Sequence, residues 1–231
     1  SRLRLPNPGL RIDRIRRAIA TTTDGAALTW LWYGLHNELH DAKDFAASWA
    51  ALENGCREKR AQLRYDPADD DRLHEALLQW RSDEVALADG HVDPGLTPVF
   101  VIGLHRSGTT LVERILGGHS RVTSGGETYD ITSALRRASG VHFRGETSLQ
   151  AVQSRAGYDY RRFGEEYLQG IRWRAAGLPL VTDKLPSNFL NVGFIARALP
   201  NARFIHLRRD GLDVGLSNLR TLFNEACPYS Y

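Results

Sequence analysis

Gly103 and Gly108 enclose the loop Gly103-Leu-His-Arg-Ser-Gly108, a stretch whose residue types suit the holding of an anion. Where a helix begins behind such a loop, its first N–H groups lack intrahelical acceptors and its dipole presents a positive end, and both favour a phosphate-like group. The glycines have the spacing of a phosphate loop. Thr109-Thr110 follows Gly108, however, where Lys-Ser/Thr would complete the nucleotide-triphosphate pattern. Arg106 is the cation that the loop itself supplies. The missing Lys counts against a Mg-dependent nucleotide kinase or NTPase and points to a different anionic donor.

The elements that must position this loop are legible on either side of it. Val99, Phe100, Val101 and Ile102 form a short continuous apolar run of the kind buried on both faces of a parallel sheet, and Gly103 ends it. Leu111, Ile115 and Leu116 then share one face at helical spacing, with Thr109 or Ser107 available as cap. Two more apolar runs, Leu180 to Thr182 and Phe204 to Leu207, end in charged residues, Asp183-Lys184 and Arg208-Arg209. Open α/β sheets place ligands at the carboxyl ends of their strands. The expected fold is therefore α/β, a P-loop-type parallel sheet with helices on both faces, preceded by an all-helical segment.

Pro98-Val-Phe-Val-Ile-Gly-Leu-His-Arg-Ser-Gly-Thr-Thr-Leu111 resembles the 5′-phosphosulfate loop of the sulfotransferases, most of all the tyrosylprotein type and the bacterial enzymes with tetratricopeptide repeats. Ala202 to Ser217 resembles their 3′-phosphate-binding motif, and the resemblance runs from about Thr97 to Tyr231. It implies transfer of a sulfuryl group from 3′-phosphoadenosine 5′-phosphosulfate to an acceptor hydroxyl by in-line displacement, with no metal. Arg106 and the amides of Ser107, Gly108, Thr109 and Thr110 would hold the 5′-phosphosulfate. Glu127, in the context Gly-Glu-Thr, matches the family's general base, which takes the acceptor's proton as the bond to sulfur forms. Lys184 matches the catalytic lysine that meets the bridging oxygen, where negative charge develops. Arg209, with its fork of donors, and Ser217 would grip the 3′-phosphate, with Arg208 the competitor if the register slips by one. Ser187 and Asn188 rank behind these. For Glu127 the alternative role is a helix cap near Tyr129 or an arginine partner.

Bulk properties fit this reading without requiring it. Across 231 residues, 42% hydrophobic and 25% charged is ordinary for a globular chain, and a net charge of +3 suits an anionic ligand without arguing for nucleic acid. No apolar run is long enough for a membrane span, and a cytoplasmic location is the default. Cys56 and Cys227 lack the spacing of a zinc site and make a weak case for a disulfide. Lys184 is one of three lysines, which mildly favours a functional role for it.

The residues before the loop read as helices. Leu10 to Ala20 is amphipathic. Ala26 to Leu39 and Phe45 to about Leu63 form a hairpin that resembles a tetratricopeptide repeat, with Trp32, Leu35 and Leu39 facing Ser48, Leu52 and Gly55; His36 stands where that repeat prefers Gly. Such a hairpin could contact a protein or peptide, and a non-catalytic binding protein of this type is the rival from outside enzymology. Asp69, Asp70 and Asp71 read as capping residues rather than metal ligands. Residues 129 to 178 read as helical and surface-like, rich in arginine. The expected division is a helical segment, 1–95, and a sulfotransferase-like domain, 96–231, C-terminally incomplete because the resembling enzymes continue past a segment like Asn224 to Tyr231.

Overall fold

Asp24 and Asp44 start two of the first three helices by the same device. In the computed structural model, which describes residues 8–81, 84 and 89–223, the Asp24 carboxylate accepts the Ala27 N–H at 2.8 Å ahead of α2 (Gly25–Asp41). Asp44 does the same for Ala47 at 3.2 Å ahead of α3 (Phe45–Gln62), so each aspartate satisfies a donor that the helix cannot. Ahead of both, α1 (Pro8–Thr21) lays Ile12, Ile15 and Ile19 against a small core of Leu35, Leu39 and Ala51. A Cβ on Gly55 would sit 2.9 Å from the Tyr33 ring, which shows how closely α2 and α3 approach. His36 is buried, its Nδ1 at 2.9 Å from the Ser48 hydroxyl. These helices form one compact unit together with residues 215–223, and the Tyr33 hydroxyl fastens the two parts by donating to the Leu219 carbonyl at 2.8 Å.

The second unit, Asp66–Val214, is built on a parallel sheet. Its central strand, β1 (Thr97–Gly103), sends Phe100 and Ile102 to one face and Val101 to the other. All three are buried, so the sheet is covered on both sides here. The neighbours of β1 are β3 (Leu180–Asp183) and β4 (Arg203–Leu207), each parallel to it, and β2 (Val122–Ser124) pairs outside β3 to give the order β2-β3-β1-β4. The stretch read as a turn after the loop helix thus contains an edge strand. With only three residues, none buried, β2 is too short for its periodicity to show.

Among the described residues, seven α-helices belong to this part of the chain: α4 (Pro67–Leu78), α5 (Thr109–Leu116), α6 (Asp130–Ser139), α7 (Leu149–Gln153), α8 (Tyr160–Ile171), α9 (Val192–Ala198) and α10 (Gly211–Leu219), the last of which runs on into the first unit. The acidic turn supplies a different cap from the one expected: Asp66 accepts the Ala68 N–H at 3.0 Å, while Asp69 and Asp70 lie in the first turn of α4, where they suit the helix dipole. Residues 129 to 178 differ from the expectation. They are helical, but Ile131, Ala134 and Leu135 of α6 and Tyr160, Phe163, Tyr167, Leu168 and Ile171 of α8 are buried in the main core beside Phe100. The arginines lie on the opposite faces of these helices, which a tally of charge does not distinguish from an all-polar surface.

Candidate active site

At the carboxyl end of β1 the chain turns through Gly103 at φ 150° and reaches Gly108 at φ 106°, conformations that favour glycine. Strand pairing makes Gly103 necessary for a second reason, since a Cβ there would lie 2.6 Å from the Leu207 carbonyl oxygen of β4. Gly103→Ala is expected to destabilise the protein by about 3 kcal/mol, combining a backbone clash with an unfavourable φ. A fall in the urea midpoint at unchanged slope checks it.

The start of α5 departs from the expected cap. Gly108 is the N-cap and no side chain caps the helix, neither Ser107 nor Thr109. The amides of Gly108, Thr109 and Thr110 therefore lie at an uncapped helix start. The Ser107 amide is engaged inside the loop, donating to the Leu104 carbonyl at 3.1 Å. Its hydroxyl is buried without a hydrogen-bond partner among the described residues. Such an orphaned hydroxyl inside an anion loop is the feature that a phosphate or sulfate oxygen would satisfy. Arg106 holds a positive φ of 71° at the crest of the loop, and its side chain is exposed. Arg209 reaches the same loop, its Nη1 donating to the Arg106 carbonyl at 3.5 Å and its Nη2 to Asp213 at 3.2 Å. Arg208 is exposed beside it. Asp210 caps α10 as expected, accepting the amides of Leu212 and Asp213 at 3.0 and 3.2 Å. Ser217 lies on α10, in the part grouped with the helical unit.

Glu127 and Lys184 meet. The ammonium of Lys184 donates to Glu127 Oε1 at 2.5 Å, and the Lys184 amide donates to the Gly126 carbonyl at 2.9 Å. Of this pair the lysine side chain is 7% exposed and the glutamate 52%, so the cation is set into the protein while the carboxylate faces outward. Glu127 does not cap α6. That helix starts at Tyr129 with no side-chain cap.

Two buried carboxylates that the sequence reading passed over hold the turn carrying Glu127. Glu113, on α5, accepts the Gly126 amide and the Thr182 hydroxyl, both at 2.9 Å. Asp183, the last residue of β3, accepts the Thr128 hydroxyl at 2.8 Å, the Tyr167 hydroxyl at 3.2 Å and the Asn188 amide group at 3.4 Å. Burial pushes the Asp183 carboxyl up to about 7, against the pull of the bonds from Thr128, Tyr167 and the Leu185 amide, with Asp130 adding to the rise. Asn188 is thus turned inward, towards Asp183 and Asn191. Ser187 is buried, its hydroxyl without a partner among the described residues.

His105 was likewise missed. Burial holds its pKa below the usual value, opposed by the nearby carboxylates of Glu146 and Glu127 and reinforced by Lys184. A histidine inside an anion loop was the available signal. Among the described residues no group of His, Cys, Asp or Glu gathers as a metal site, and no helix is long and apolar enough to cross a membrane. Cys56 is a free thiol raised in pKa by burial. Cys227 and the segment from Asn224 to Tyr231 lie outside the described residues.

The cations and the carboxylate expected to act thus follow the ends of the four strands, Glu127 after β2, Lys184 after β3, Arg106 after β1 and Arg209 after β4. A relative from Aquifex aeolicus (strain VF5), itself an uncharacterized protein, is 32% identical over 200 residues, covering 82% of this chain and 26% of its own length. The chain therefore spans about a quarter of that relative. No solved structure matches. The model of the sulfotransferase family matches residues 98–231, beginning one residue into β1 and taking in the loop, Glu127, Lys184 and Arg209. With more than half of its length matched, the chain belongs to the sulfotransferase family.

Proposed function

We propose that the protein transfers a sulfuryl group from 3′-phosphoadenosine 5′-phosphosulfate to an acceptor hydroxyl. The observation that carries this reading is the meeting of Lys184 with Glu127 at the end of β3, next to a loop onto which Arg209 folds from the end of β4. The donor would supply a sulfuryl group on a stable phosphate leaving group. The amides that open α5 and the Ser107 hydroxyl bind its 5′ end, and Arg106 adds charge at the crest of the loop. Arg209, with Ser217 as the family motif implies, fixes the 3′ end. Lys184 directs its ammonium at the oxygen between phosphorus and sulfur, where charge grows as the bond breaks. Glu127 takes the acceptor's proton as the new oxygen–sulfur bond forms in line with the old. Because the lysine and the glutamate are paired at rest, seating the donor against Lys184 also frees the carboxylate for the acceptor.

We place the functional boundary between residues 95 and 96, just ahead of β1 at Thr97 and of the family match at Pro98. The helical residues before it are read as a tetratricopeptide-like segment that contacts an acceptor peptide; the close seating of Gly55 against the Tyr33 ring and the Trp32 Cβ supports the repeat-like hairpin.

Calorimetry with adenosine 3′,5′-bisphosphate in the absence of Mg²⁺ tests the donor assignment. Wild-type protein should bind it, and Arg209→Ala should bind at least about tenfold more weakly, the loss of a charge-assisted phosphate contact. Binding of Mg-ATP in preference to the bisphosphate would replace this reading with a nucleotide kinase.

A further inference from the structure

The base, Glu127, is exposed, yet the residues on either side of it are held by buried carboxylates. On the upstream side the Gly126 amide is fixed by Glu113. On the downstream side the Thr128 hydroxyl is fixed by Asp183, a residue with no exposed surface that immediately precedes Lys184 in the chain. One carboxylate thus touches the residue after the base and adjoins the catalytic lysine through a single peptide unit. We propose that Asp183 is a positioning residue for sulfuryl transfer, setting through Thr128 the distance at which Glu127 stands from Lys184. The inference rests on the reading of Glu127 and Lys184 as base and leaving-group cation.

The surroundings of Asp183 favour this role over simple packing. It spends three acceptor contacts on Thr128, Tyr167 and Asn188, which come from the active turn, α8 and the segment after β3. The charged or titratable groups facing it are Tyr167 on α8, Asp130 at the start of α6 and, next in the chain, Lys184; its partner on β1, Phe100, brings none. A carboxylate is a costly residue to bury merely to fill space, and no cation is paired with it. Its bond to Thr128 is the contact that a positional role requires, because small errors in the placement of a reacting group are expensive in rate.

The test measures transfer from 3′-phosphoadenosine 5′-phosphosulfate to water and to 4-nitrophenol in wild-type, Asp183→Asn and Thr128→Val proteins, with adenosine 3′,5′-bisphosphate affinity and amide exchange measured alongside. Both variants should lose about tenfold to a hundredfold in kcat while keeping nucleotide affinity within about threefold. The Lys184 amide, which donates to the Gly126 carbonyl, should exchange faster in each. In a Glu127→Gln background, Asp183→Asn should add less than about twofold, since a residue acting through the base has nothing left to position. The wild-type rate should also show a titration near neutral pH that Asp183→Asn lacks. If Asp183→Asn folds poorly, Thr128→Val removes only the hydroxyl and reads the same contact. Active wild-type protein with Thr128→Val or Asp183→Asn within twofold of it, or with additive losses in the Glu127→Gln background, overturns this inference alone. Wild-type protein that neither binds the bisphosphate nor moves a sulfuryl group overturns the sulfotransferase reading, and this inference with it.

Discussion

Lys184→Ala is expected to lower the turnover of sulfuryl transfer by about a hundredfold or more while leaving the affinity for adenosine 3′,5′-bisphosphate nearly unchanged. The size follows from removing a fixed charge from the point where charge develops, an effect comparable to the loss of an oxyanion-hole donor. Its fixity comes from the fold. The ammonium is almost wholly enclosed, and its backbone is tied to the Gly126 carbonyl. The bisphosphate has lost the sulfuryl group, so ground-state affinity should report mainly on the loop and Arg209. Measuring kcat and the calorimetric affinity on the same preparation separates the two. A lysine whose removal weakens binding and spares turnover would be a binding residue instead. Lys184→Arg should recover only part of the rate, because a planar fork does not place its charge where a point ammonium does.

Glu127→Gln is expected to lower the rate by about a hundredfold to ten-thousandfold, the range for a lost general base. The substitution keeps the shape of the side chain and its outward direction. It leaves Lys184 beside an amide instead of a carboxylate. The expected split is a fall in kcat with the nucleotide affinity within about threefold, and a loss that shrinks for acceptors whose hydroxyl is already acidic, such as a nitrophenol. A loss equal for acidic and ordinary hydroxyls would leave Glu127 a structural partner of Lys184 and remove it from proton transfer. The clamps on Gly126 and Thr128 are independent of the Glu127 side chain, so the turn itself should survive the change.

The loop and its flanking strands could be read from sequence because their causes are local. Gly103 and Gly108 are required by backbone conformation, and Val99 to Ile102 by burial on both faces, and each leaves its mark in the residues themselves. Lys184 and Arg209 stood out because the stretches that carry them resemble the sulfotransferase motifs, at the ends of apolar runs. What stayed hidden depends on partners distant in the chain. Asp183 looked like one more charge at a strand end, and only the arrival of Thr128, Tyr167 and Asn188 shows it to be a buried hub. Glu113 looked like a polar face of α5, yet it is buried against Gly126 and Thr182. The core faces of α6 and α8 were in principle legible, since Tyr160, Phe163, Tyr167, Leu168 and Ile171 recur at helical spacing, but the arginines between them drew the eye. β2 carries too few residues for any pattern.

The placement of β1 between β3 and β4 makes the sheet a ruler. Two interstrand steps of about 4.8 Å separate β3 from β4, and β4 runs three residues further along β1 than β3 does, so the strand ends that precede Lys184 and Arg209 are spaced by roughly 14 Å of hydrogen-bonded backbone. No exchange of side chains alters that span. On the proposed reading, selectivity for the separation between the two anionic ends of the donor would be set by main-chain geometry, which leaves the acceptor side free to vary.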